Sequence, residues 1–192
     1  MKDSFNILIC GVGGQGSILA RKIACAAFIR DGYDIKASEV HGMAQRGGSV
    51  VTHFRAGTQL FSPLVEEGQA DYILGFEPLE ALRYLPYLKN GGNIILNTHQ
   101  VLPMPVLTGE SEYPHDIRGR IETAGGIVKE VEALQLALEA GSPKVMNVVL
   151  LGVLAQFLPL PKEIWLEAVD QSVPPAYREL NRRAFVAGYS LK

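Results

Sequence analysis

Residues 5–32, FNILICGVGGQGSILARKIACAAFIRDG, constrain this chain more than any other segment. Residues 5–10 are apolar at almost every position, which suits a strand covered on both faces in a parallel sheet. Gly11, Gly13 and Gly16 follow at GxGxxG spacing, with Gly14 and Gln15 between them. From Ser17 onward Ile18, Ala20, Ile23, Ala24, Ala27 and Phe28 recur at helical spacing, and Gly32 stands where a left-handed cap would end the helix. A glycine loop between a buried strand and a helix begins a doubly wound, Rossmann-like α/β fold, where backbone amides and the helix dipole can receive a pyrophosphate. The same glycines also let helix and strand pack closely, so at this point nucleotide binding and plain packing are both open.

The rest of the chain continues the pattern. Residues 34–38 return as a second strand, a strand-helix-strand unit that handedness rules place on one sheet. Further β-rich runs lie at 49–55 (SVVTHFR), 71–76 (DYILGF), 93–97 (NIILN) and 127–131 (IVKEV). Residues 79–88 read as helix until Pro86, and 89–92 as a turn. A helix over 133–140 stops at Gly141, and Ser142 with Pro143 opens another that runs to about residue 158. One more starts at Pro161, and an amphipathic helix after Pro174 and Pro175 ends at Gly188. The expectation is a mostly parallel sheet with helices on both faces and a helical C-terminal segment. No repeat or linker divides the chain, so residues 1–192 read as one domain.

Composition narrows the partners. Lys and Arg number 18 against 20 Asp and Glu, a net charge of -2 that offers no basic field to a nucleic-acid backbone. The longest apolar stretch, residues 145–160, is interrupted by Asn147 and Gln156 and stops at Pro159, short of a bilayer span; the early apolar run 5–10 leads straight into a glycine loop and not a cleavage site, so a cytoplasmic location is expected. Cys10 and Cys25 are the only cysteines, too few for the four thiolates of an iron–sulfur cluster, and each reads as a small core residue. His53 alternates with Val51 in a strand, while His99 and His115 have no second ligand at metal spacing, so no metal is expected on this chain. Asn97 and Asn147 stand out as polar residues inside apolar runs, placed either to reach a site or to satisfy buried backbone.

Glu39 lies about 20 residues beyond the glycine loop, where a dinucleotide site holds its ribose. It runs at once into VHGMAQRGG, a second glycine-rich loop, where an adenine pocket would need apolar walls. Gly42, Gly47 and Gly48 permit tight turns, and His41, Gln45 and Arg46 are polar groups with no visible structural task. Arg46 suits a bidentate grip on phosphate or carboxylate, Gln45 could orient it, and His41 adds an imidazole beside them. Docking a partner subunit accounts for the same residues equally well. In a doubly wound sheet both loops lie at the carboxyl ends of the strands, where ligands and partners are received.

GVGGQG, then SEVHGMAQRGGSV, FSPLVEEGQAD, EPLEALRYLPYLKNGG, NIILNT, LALEAGSPKVMNVVLLG and NRRAFVAG together resemble the gamma-subunit family of 2-oxoacid:ferredoxin oxidoreductases over nearly the whole chain. The residues HGMAQ before RGG place the resemblance in the indolepyruvate branch, whose members are called beta subunits. The resemblance implies a division of labour. A larger partner subunit would carry thiamine diphosphate, Mg and [4Fe-4S] clusters and pass electrons to ferredoxin, with coenzyme A (CoA) accepting the acyl group. This chain would hold no cofactor, provide no catalytic residue and be inactive alone. Its domain would lie over the active site and help place CoA, with residues 11–16 and 46–48 lining the approach. The alternatives are a gamma subunit for pyruvate, 2-ketoisovalerate or 2-oxoglutarate, a stand-alone NAD(P)-dependent dehydrogenase resting on GxGxxG and Glu39, and a scaffold without a catalytic part.

Overall fold

The computed structural model describes residues 3–42 and 48–192. Its strands are β1 (Phe5–Val12), β2 (Asp34–His41), β3 (Ser49–Gly57), β4 (Ala70–Gly75), β5 (Leu88–Asn97) and β6 (Ile127–Val131). The helices are α1 (Ser17–Arg30), α2 (Pro78–Arg83), α3 (Met104–Leu107), α4 (Ile117–Thr123), α5 (Ala133–Ala140), α6 (Met146–Ala155), α7 (Lys162–Ser172) and α8 (Arg178–Tyr189). The strands form one sheet in the order β2-β3-β1-β4-β5-β6. β1, β4, β5 and β6 are parallel, as expected of a doubly wound α/β fold.

The second strand departs from the simple strand-helix-strand picture. β2 does run parallel to β1, but β3 is inserted between them and pairs antiparallel with both. Burial explains the order. β3 is buried along most of its length, including Val50, Val51, Thr52, Phe54 and Ala56, so it takes an interior position. β2 carries Lys36, Ser38, Glu39 and His41 and has no fully buried residue, which suits an edge.

Alternation along β1 divides the core. Ile7 and Ile9 face a thick layer of α1, α5, α6, α7 and α8 that encloses Phe28, Phe54, Trp165 and Phe185. Leu8 and Cys10 face a thinner layer where Ala81 of α2 and Ile117 and Ile121 of α4 pack. The helices therefore cover both faces, unequally.

Two local readings change. Residues 89–92 do not turn the chain away: β5 already begins at Leu88, and the glycines make an irregularity within it, with Gly91 at φ 71 and its amide bonded to the Gly125 carbonyl at 3.1 Å. Gly188 does stand at the end of the last helix, as the penultimate residue of α8, but for packing rather than as a left-handed cap. A Cβ added there would sit 1.9 Å from the Val149 carbonyl oxygen, and one at Gly152 of α6 would sit 2.2 Å from that of Phe185. These two glycines let α6 and α8 cross backbone to backbone. Since neither carbonyl can move without breaking its helix ladder, Gly188→Ala should cost at least about 3 kcal/mol in chemical denaturation.

His53 clips the long connection between β3 and β4. Its ring is buried, and its Nδ1 accepts the Val65 amide at 3.1 Å, which requires a neutral imidazole protonated at Nε2. Burial lowers its pKa below the usual histidine value. Between that lowered value and about 6.5 the unfolded chain binds the proton and the folded chain does not, so stability falls as pH drops through this window. His53→Leu should flatten that part of the stability-versus-pH curve, measured by urea melts between about pH 5 and pH 7.5.

Candidate functional site

β1 feeds α1 on the thick face and β4 feeds α2 on the thin face, so the chain switches direction between the carboxyl ends of these two neighbouring strands. In open α/β sheets this crevice is where ligands are received. The first glycine loop stands there. Gln15 folds it: its Oε1 accepts the Val12 amide at 2.9 Å, its own amide reaches the Val12 carbonyl at 3.2 Å, and its Nε2 donates to the Phe76 carbonyl beyond β4 at 3.2 Å.

The glycines of the loop do different things. A Cβ at Gly11 would meet Gln15 Oε1 at 2.6 Å and Phe76 Cβ at 2.9 Å, so Gly11 is there for close packing. Gly16 caps α1 in the left-handed region at φ 85, and a Cβ on it would lie 2.5 Å from Asn147 Nδ2. Gly14, at φ 98, faces open space. No side chain caps α1 and its first turn holds no acid, so its leading amides remain available to an anion.

The Gly13 amide donates to the Gly48 carbonyl at 2.9 Å, which joins the two glycine loops. The second loop is closed at its base by Gly42 N–H to the Ser49 carbonyl at 2.7 Å. Gln45, Arg46 and Gly47 lie outside the described residues. Glu39 accepts from Thr52 Oγ1 at 2.9 Å, and exposed His41 holds Nε2 2.8 Å from its other oxygen. Because β3 intervenes, Glu39 also stands two strand spacings, about 9–10 Å, from β1. A ribose-holding acid would have to sit on the strand next to the glycine loop, and Glu39 does not.

The structure adds residues that the sequence reading passed over. Glu77, 1% exposed, caps α2 by accepting the Glu80 amide at 3.0 Å, and it also accepts Tyr113 OH at 2.6 Å and the Val101 amide at 3.3 Å. Buried Glu80 accepts the Ser49 hydroxyl and Arg83 Nε, the latter at 3.2 Å, which ties the return of the second loop to α2. Beside Glu77 opens a cavity of about 570 Å³ lined by Asn97, Thr98, Tyr113, His115 and Arg118 among others. Glu77 before Pro78 is a helix-start signal visible in sequence; Tyr113, 36 residues away, carries none. Burial, then the Glu77 carboxylate, push the Tyr113 hydroxyl far above its ordinary pKa, so it remains a donor. Tyr113→Phe, which leaves that carboxylate short of a partner, should cost about 2 kcal/mol in a urea melt without changing the fold.

Neither cysteine suits a metal or a nucleophilic role. Burial, then Glu80 and Glu77, push the Cys10 thiol well up, and burial raises Cys25. Both fit the packing role read from sequence, and two thiols do not meet the four-thiolate demand of a cluster. Among the described residues no group of three His, Cys, Asp or Glu is arranged to hold a metal ion, and no helix is long and apolar enough to cross a membrane.

Known proteins share this sequence and fold. The chain is 44% identical to the indolepyruvate oxidoreductase subunit IorB of Thermococcus kodakarensis, across 98% of this chain and 95% of that one. A solved keto/oxoacid ferredoxin oxidoreductase gamma subunit from Geobacter sulfurreducens PCA superposes with a TM-score of 0.72 at 28% identity, covering 96% of each chain. The 2-oxoglutarate:ferredoxin oxidoreductase of Magnetococcus marinus, solved with 2-oxoglutarate, coenzyme A and succinyl-CoA bound, shares the fold at a TM-score of 0.72 and 19% identity; all of this chain aligns with 32% of that one. The family described as pyruvate ferredoxin/flavodoxin oxidoreductase matches residues 6–191, and the chain belongs to that family.

Proposed function

We propose that this chain is the small subunit of a 2-oxoacid:ferredoxin oxidoreductase of the indolepyruvate type, and that its carboxyl edge helps place CoA. The Gly13–Gly48 hydrogen bond carries the reading, because it gathers both glycine loops beside the uncapped start of α1. The amides of that helix start and of Gly14 would take phosphate oxygens, and Arg46 would add a fixed positive charge. Gln15 holds the loop in shape. Committed to Thr52 and His41 and set apart from β1, Glu39 is not placed to hold a ribose, which argues against a nicotinamide site.

The name of the Thermococcus relative supports indolepyruvate as the substrate, and the CoA in the Magnetococcus enzyme supports the co-substrate. A larger partner subunit would hold thiamine diphosphate, Mg and [4Fe-4S] clusters, which supply decarboxylation and electron transfer. In the overall reaction the bond between the carboxylate and carbonyl carbons of the 2-oxoacid breaks to release carbon dioxide, the acyl carbon bonds to the CoA sulfur as the thiol proton is released, and two electrons pass to ferredoxin. With two cysteines, this chain would contribute no iron–sulfur electron carrier of its own.

The test is reconstitution with the cognate large subunit, following indolepyruvate- and CoA-dependent reduction of a viologen dye. Neither chain alone should turn over, and the complex should. Arg46→Ala should raise the KM for CoA about tenfold or more with kcat within about twofold, the loss expected of one charge-assisted phosphate contact. Dye reduction by this chain alone, or an unchanged KM for CoA, would contradict the proposal.

A further inference from the structure

All ten residues of α6 are buried, and Asn147 is its one polar side chain. A buried amide costs free energy unless its hydrogen bonds are met, and this one is only half met. Its Nδ2 donates to the Gly16 carbonyl at 3.0 Å, across 131 residues of chain, while its Oδ1 is buried without a partner. If packing were its whole task, an apolar side chain of the same size would serve α6 better.

The acceptor indicates what the amide does. Gly16 is the left-handed cap of α1, and its carbonyl also receives the Ala20 amide at 3.2 Å to begin the helix ladder. The space a Gly16 side chain would need is filled by Asn147 Nδ2, so glycine and asparagine are fitted to each other. At the other end of the loop Asn97 repeats the arrangement. It too is fully buried with an unpartnered Oδ1, and its Nδ2 donates at 2.9 Å to the Phe76 carbonyl, the same oxygen that Gln15 holds.

We infer that Asn147 is a positioning residue of the glycine loop. Its amide locks Gly16 in the left-handed conformation and so keeps Gly14 and the first amides of α1 facing the working edge. The consequence for CoA rests on the function proposed above; the consequence for the loop does not.

The test uses the complex with the large subunit and three variants. Asn147→Leu removes the donor and keeps the volume, and Asn147→Ala removes the donor without adding bulk, which covers the case where one of them fails to fold. Val148→Ala is the control, a fully buried neighbour on the same helix with no part in the loop's hydrogen bonds. Either Asn147 variant should speed amide exchange in peptides covering residues 11–20 at least tenfold and raise the KM for CoA at least fivefold, with kcat within twofold. Val148→Ala should lower the melting temperature and leave both readings alone. Unchanged exchange in the Asn147 variants, or equal effects from Val148→Ala, overturns the inference. So does faster exchange with an unmoved KM when Arg46→Ala raises that KM. If neither Arg46→Ala nor the Asn147 variants move the KM, the CoA reading fails, and faster exchange confined to the Asn147 variants still supports the positioning role.

Discussion

The antiparallel insertion of β3 between β2 and β1 is the constraint on which the two-loop carboxyl edge depends. In an all-parallel arrangement the segment after β2 would leave the edge for a helix on one face. Here β3 pairs antiparallel with β2 instead, and the residue just before it, Gly48, lies within hydrogen-bonding reach of Gly13. One pairing choice therefore converts a single strand-to-helix glycine loop into a two-loop edge. It also moves the acid of β2 one strand further from the loop, away from where a dinucleotide site would use it.

Around that edge the protein buries polar groups that a core built only for stability would omit. Glu77 and Glu80 lie under it, one capping α2 and gathering Tyr113 and Val101, the other bonded to Ser49 and Arg83. Asn97 and Asn147 each give their amide to a loop carbonyl and leave an oxygen without a partner. Burying such groups is costly, and the cost is easiest to understand where backbone geometry must be held to a fraction of an ångström. The apolar thick layer, with its Phe28, Trp165 and Phe185 cluster and the Gly152–Gly188 crossing, supplies the stability that carries them.

Local pattern made most of the elements readable. The apolar run before GVGGQG, the helical spacing after it and the Ser142-Pro143 start depend on neighbours in sequence, and each element lies close to its expected place. The meeting of the two loops at one edge followed from the rule that strand ends receive ligands. What was not readable depends on distant partners. The position of β3 is set by burial against both neighbours, and Tyr113 gains its role through Glu77 and the Leu79 amide. Gly188 reads locally as a helix stop, yet its absent side chain is explained by the Val149 carbonyl on another helix. The glycines at 89–92 read as a turn but are absorbed within β5 by its pairing with β4.

Under the proposed function this carboxyl edge, and not the opposite rim, is the surface that meets the larger subunit and CoA. Amide exchange measured on this chain before and after it binds the larger subunit tests that most directly. Strong protection is expected of peptides covering residues 11–20 and 39–50, with further protection there when CoA is added. Protection confined to the opposite rim, at residues 58–69 and 124–127, with residues 11–20 unchanged in the complex and with CoA, would contradict it.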